Sequence, residues 1–106
     1  MQFRLHPGEL HVPLKLEKAI AGKVGKIEKR LKRYHPDAAD LEVRLTHEEK
    51  LDAYECRLVL RAFKDTLYAA KTAPDLRVAV DRSFEAIMRE LEHYRVKLNK
   101  SLQDHT

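Results

Sequence analysis

The residues of this chain best equipped for chemistry are its cations. From Lys15 to Arg33 there are eight (Lys15, Lys18, Lys23, Lys26, Lys29, Arg30, Lys32 and Arg33) against two acids, Glu17 and Glu28, a local excess of six in a chain of formal charge +4. The remainder is therefore two charges negative, and a molecule polarised in this way draws a polyanion to one side. At 100° per residue with Leu16 as origin, Lys15, Lys18, Lys26, Lys29 and Arg33 fall within about 200–280° on a helical wheel. Glu17 and Glu28 fall near about 100–120°, too far round to neutralise that face by pairing at three- or four-residue spacing. A segregated basic face of this kind suits phosphate neutralisation, and nucleic acid is the leading partner class. Gly22 and Gly25 lie on the same outer half at a cost of about 1 kcal/mol each relative to alanine. Missing side chains there let a phosphate backbone come close; tolerated drift at exposed sites explains them equally well.

A second, weaker basic stripe consists of Arg82, Arg89, His93, Lys97 and Lys100, at about 220–300° on a wheel that starts from Leu76. Asp81, Glu85 and Glu92 occupy the adjoining sector and Glu90 falls close to the stripe, so residues 75–102 net only +1. Read alone, this is a solvated face. Other chemistry is poorly supported. The six histidines (His6, His11, His35, His47, His93 and His105) form no pair at helical spacing on one face and no H-E-x-x-H pattern, which argues against a metal site. No nucleophile elbow, phosphate-cradling glycine loop or kinase signature is present, and Cys56 alternates with Leu58 as a core-facing sheet residue. Glu48, Glu49 and Asp52 sit in an expected loop; Tyr34, Tyr68 and Tyr94 are of a type that stacks on bases, but Tyr34 and Tyr94 complete apolar stripes and fit the core or its edge better.

These residues need elements to position them. Phe3 and Leu5 alternate with polar neighbours up to Pro7-Gly8, which predicts a short half-buried strand. Leu16, Ile20, Val24, Ile27, Leu31 and Tyr34, spaced by three and four, predict a helix over about Pro13 to Tyr34, with Pro13 at its first position and Pro36 limiting its end. Alternation over Leu41–Thr46 and again over Tyr54–Leu60 predicts two strands. Lys64-Asp65 then turns residues 54–72 into a hairpin, whose long apolar run places it at the centre of the sheet. Pro74-Asp75 opens a second helix, about Asp75 to Leu102, along Leu76, Val80, Phe84, Ile87, Leu91, Tyr94, Leu98 and Leu102. The predicted fold class is α+β, in the order β-α-β-β-β-α, a four-stranded sheet with both helices on one face. One domain over 1–102 with a short tail at 103–106 accounts for all 106 residues.

With a single cysteine, no intramolecular disulfide and no cysteine-based zinc site is expected. No stretch reaches the roughly 18 to 20 apolar residues of a bilayer crossing, and Met1-Gln2-Phe3-Arg4 lacks the layout of a signal peptide. The expected location is cytoplasmic.

The whole chain to about residue 100 resembles the short-form ribosome hibernation factors, the protein Y or ribosome-associated inhibitor family. Lys23-Val24-Gly25-Lys26-Ile27-Glu28-Lys29 matches the family's K-L-x-K-L-E-K/R in helix one. The entry to helix two is more specific: A-x-x-x-A-x-D-M-Y-x-A-I-D is matched without gaps by residues 69–81, from Ala69 to Asp81. Further on, D-K-L-x-R-Q-L-x-K-x-K is matched by Glu85 to Arg95, with cations at Arg89, His93 and Arg95, and then at Lys97. The departures are Ala86 for a family lysine, Glu90 and Glu92 for neutral or basic positions, and Arg77 for a tyrosine.

The resemblance implies a double-stranded-RNA-binding-like fold lodged in the small ribosomal subunit, with both basic helix faces on ribosomal RNA and the messenger and transfer RNA sites occluded. The implied RNA-binding set is Lys15, Lys18, Lys23, Lys26, Lys29, Arg33, Arg82, Arg89, His93, Arg95, Lys97 and Lys100. It also implies no catalysis, no cofactor, no membrane or small-molecule partner, and a monomer off the ribosome. The second domain through which long forms pair ribosomes is expected to be absent. Two rivals stand beside it: a protein-interaction module whose basic face meets an acidic partner, and an enzyme using His47 or His93 with nearby carboxylates.

Overall fold

A computed structural model describes residues 1–31, 39–62 and 65–104, with the side chains of the last helix described as far as Tyr94. The elements are β1 (Gln2–His6), α1 (Leu14–Leu31), β2 (Asp40–Glu48), β3 (Ala53–Ala62), β4 (Asp65–Ala73) and α2 (Leu76–Asp104). The order predicted from periodicity is therefore the order observed, and the fold is α+β. The expected end of the first helix, with Arg33 and Tyr34, and Lys64 of the expected turn lie outside the described residues.

The sheet has the strand order β1-β2-β3-β4. β1 lies parallel to β2, joined through α1, while β2, β3 and β4 form an antiparallel meander. This corrects the placement of the 54–72 hairpin at the sheet centre. β3 is internal, but β4 is an edge, because β1 returns beyond β2 and makes β2 and β3 the inner pair. Leu41, Val43 and Leu45 of β2 face the helices opposite Leu60, Leu58 and Cys56 of β3, and all six are buried.

Both helices start where local chemistry supplies partners for their first amides. The Pro13 carbonyl accepts from Leu16 N and Glu17 N, both at 3.0 Å, which puts Pro13 one position ahead of α1. Asp75 caps α2: its Oδ1 accepts from Arg77 N at 2.7 Å and its carbonyl from Ala79 N at 3.1 Å. The buried positions of α1 are Leu16, Ile20, Val24, Ile27 and Leu31, every described residue of the predicted stripe. Val80, Phe84, Ile87 and Leu91 do the same for α2 and join α1 and the inward sheet residues in one cluster. Both helices therefore cover the same face. Ser83 is buried as well, and its hydroxyl donates to the Cys56 carbonyl at 2.6 Å, pinning α2 to β3.

Among the described residues two positions need a left-handed backbone: Gly8 (φ 60°), in the turn after β1, and Asp52 (φ 46°), in the turn from β2 to β3. Glycine adopts this without strain, and aspartate more readily than most other residues. Phe3, on the apolar side of the expected half-buried strand, is 38% exposed on the edge strand β1.

Candidate nucleic-acid interface

The two helices run side by side in the same direction, since the ion pairs joining them advance along both together. Lys23 Nζ lies 2.9 Å from Asp81 Oδ1, and Arg30 pairs with Glu92 further along. Asp81 also receives Arg77 Nε at 3.2 Å. Burial pushes the Asp81 carboxyl up, but hydrogen bonds from Lys23 and Arg77, reinforced by their charges, outweigh it and hold the group below its ordinary value. The acidic sector of α2, read from the sequence as diluting its basic stripe, is thus turned partly toward α1, where it meets the two cations nearest the α1 apolar stripe.

The outer faces of both helices are predominantly basic, although Glu17, Glu28, Glu85 and Glu90 are exposed as well. Lys15, Lys18, Lys26 and Lys29 of α1 and Arg82, Arg89 and His93 of α2 are exposed. Among the described residues none of these seven pairs with a carboxylate. Lys26 and Arg89 line one groove of about 390 Å³ between the helices, together with Lys23, Glu85, Phe84 and Met88. The two stripes are therefore one surface, with an apolar floor and Glu85 as an acid within it. Lys23 is half-buried and partnered, so of the α1 set it is the cation least available to a ligand. Arg33 lies outside the described residues; Arg95, Lys97 and Lys100 stand on α2, their side chains outside the described set. A Cβ added at Gly22 or Gly25 meets nothing within 4 Å among the described residues, so none of them requires glycine there, and both leave room for a close approach from outside.

Cys56, His47 and Tyr94, weighed from the sequence for other chemistry, are engaged in structural contacts. Cys56 is fully buried, and burial, opposed by the Ser83 contact, pushes its thiol up to about 12, which removes the thiolate that a nucleophile requires. His47 sits 3.1 Å from Asp52 and its ring is 4.7 Å from that of Tyr54, at the hairpin between β2 and β3. Tyr94 is half-buried and donates to Asp65; burial and that carboxylate both raise its phenol, so it is tied to β4. No three of the described His, Cys, Asp and Glu residues gather as a metal site would require, and no described helix is long and apolar enough to cross a membrane.

Residues 7–99 match the family model described as sigma 54 modulation protein / S30EA ribosomal protein. The chain belongs to this family. The resemblance to protein Y read from the helix motifs is met by the solved structures too. The N-terminal domain of Thermus thermophilus protein Y superposes with a TM-score of 0.70 at 16% identity, covering 89% of this chain and 99% of that one. A ribosomal subunit interface protein from Coxiella burnetii gives a TM-score of 0.68 at 14% identity, covering 91% and 99%. At these identities the likeness is one of fold. The search of curated proteins finds no match.

The seam between the helices escaped the sequence reading. Its signal was present in the wheel angles: Lys23 and Arg30 fall at about 320–340° on α1, next to the apolar stripe, and Asp81 and Glu92 at about 140–160° on α2. Only knowing that the helices lie in parallel on one sheet face turns those angles into contacts.

Proposed function

We propose that this protein is a cytoplasmic, non-enzymatic ribosome-associated inhibitor that binds ribosomal RNA of the small subunit through the joined outer faces of α1 and α2. In that position it occludes messenger and transfer RNA sites and blocks translation reversibly. Off the ribosome it is a monomer. The observation that carries the reading is the continuity of the surface. Exposed cations of both helices flank one groove, and the nearby acids Asp81 and Glu92 are paired off at its edge. Family membership supplies the ribosomal context. Shape and phosphate recognition suits folded RNA, whose deep major groove side chains cannot read. The implied set extends to Arg33, Lys97 and Lys100, which continue the two basic stripes in sequence, and to Arg95, which falls near about 100° on the α2 wheel, outside its stripe.

The test is co-sedimentation with isolated small subunits across a potassium chloride series. Binding is expected to weaken with a log–log slope of several units if about five or more phosphates are met. A flat salt response, or retention of a protein partner after ribonuclease treatment with no subunit binding, identifies an acidic protein as the partner instead.

A further inference from the structure

The sheet face turned away from the helices has two unlike ends. At one, Arg4 lies 2.7 Å from Asp40 and 2.8 Å from Glu42, and Arg61 lies 3.0 and 3.4 Å from the same two carboxylates. Two arginines and two acids offset one another's charge there. One row along, Arg44 and Arg57 stand directly opposite in the β2–β3 register. Like charges in that position destabilise a sheet unless an anion offsets them. Among the described residues Arg44 reaches only Glu42, at 4.0 Å, which Arg4 and Arg61 already share; Arg57 has Glu55 at 3.3 Å. Beside the pair, Tyr68 is 65% exposed and faces Val59 across the strands, while Ala70, opposite Arg57, leaves the adjoining floor low. Arg44, Arg57, Val59, Tyr68, Ala69 and Ala70 line a shallow depression of about 420 Å³.

An open tyrosine ring next to two guanidinium groups on a flat sheet has the parts that hold an unpaired nucleotide. A base stacks on the ring, and the flanking phosphates meet the cations. An acidic peptide satisfies the arginines but gives the exposed ring no particular partner. We propose that this end of the open sheet face binds single-stranded RNA, one base stacking on Tyr68 and its adjoining phosphates meeting Arg44 and Arg57. The site lies on the opposite side of the sheet from the helix surface and does not rest on the reading of that surface.

The experiment is fluorescence anisotropy of 5′-fluorescein decauridylate with the free protein, in the absence of ribosomes. Loss of a base stack predicts that Tyr68→Ala weakens binding about tenfold, within the span measured for base–aromatic stacking, while Tyr68→Phe stays within about twofold. Arg44→Ser with Arg57→Ser is expected to lower both affinity and salt slope, the slope by about 0.7 for each phosphate lost. The same Tyr68 dependence is expected in the Lys26→Glu, Lys29→Glu chain, which separates this site from the helix face. Circular dichroism of each variant verifies its fold. Tyr68→Ala within twofold of wild type, or Tyr68→Phe as weak as Tyr68→Ala, overturns the proposal. So does decaglutamate displacing decauridylate equally from the wild type and from the arginine double variant. Loss of subunit binding with retained Tyr68-dependent decauridylate binding, or the converse, shows which of the two surfaces fails.

Discussion

The outer face of the helices and the open face of the sheet are built from the same residue types and reach opposite electrostatic results. On the sheet, Asp40 and Glu42 hold Arg4 and Arg61 at one end, and Arg44 and Arg57 further along keep only Glu42 at 4.0 Å and Glu55 at 3.3 Å, so most of the positive charge of this face is offset. On the helices, Lys15, Lys18, Lys26, Lys29, Arg82 and Arg89 stand exposed with no such partner among the described residues. The difference follows from periodicity. A strand face places side chains in rows with cross-strand neighbours, so mixed charges meet. A helix turns about 100° per residue, so cations and acids spaced differently along the chain separate onto different sides. Two acids of α2, Asp81 and Glu92, then meet the α1 cations Lys23 and Arg30. A cation is therefore available to a polyanion according to where its acids have been sent, and the total charge of +4 does not reveal this.

The largest expected effect removes both faces at once. Leu58 is fully buried between sheet and helices, opposite Val43. An unpaired charge there costs several kcal/mol of a total of about 5–15, so Leu58→Asp is expected to abolish the cooperative thermal transition. A melt within a few degrees of wild type contradicts its place in the core.

Next comes reversal of the helix face alone. Lys26→Glu with Lys29→Glu touches no buried residue of α1 and is expected to weaken small-subunit binding by on the order of a hundredfold or more, with the melt unchanged. Equal sedimentation of wild type and variant across the salt series removes α1 from the interface. A smaller change of opposite sign is expected from Glu85→Lys, since Glu85 is the exposed acid within the groove that Lys26 and Arg89 share. Converting it should tighten binding about three- to tenfold, most visibly at low salt, where screening is weakest. Glu92 is unsuitable for the same purpose: it pairs with Arg30, and a lysine there sets two cations against each other across the seam.

Much of this architecture was legible in the sequence. The stripes Leu16–Leu31 and Val80–Leu91 fixed which faces are buried, because burying a helix of that periodicity allows only one orientation. Alternation through Leu41–Leu45 and Cys56–Leu60 did the same for the inner strands. The edge position of β4 was not legible, because it depends on β1 pairing with β2, a long-range choice that no local pattern encodes. The ion pairs of Lys23 and Arg30 were hidden for a similar reason: they depend on the relative rotation of two helices far apart in sequence. Reading Asp81 and Glu92 as dilution of a basic stripe was the natural result of viewing α2 in isolation.

The seam itself supplies the smallest expected effect. Asp81 holds Lys23 at 2.9 Å and Arg77 at 3.2 Å, with its side chain 37% exposed, so solvent screens the interaction and Asp81→Asn is expected to cost less than about 1 kcal/mol at neutral pH. The same substitution frees the Lys23 ammonium to join Lys26 beside the groove, and small-subunit binding is expected to tighten by about twofold even as the protein becomes slightly less stable. The pH dependence has a definite sign. The Asp81 carboxyl is held below its ordinary value of 3.8 in the folded protein, so its contribution to stability is complete above that value and is lost as pH falls through the lower folded value. The Tm difference between wild type and Asp81→Asn is therefore expected to be widest at neutral pH and to close on acidification below 3.8. A difference that persists unchanged into acid assigns the Asp81 effect to packing. Weaker binding by the variant shows that the seam serves the interface by holding the two helices in register, not by occupying Lys23.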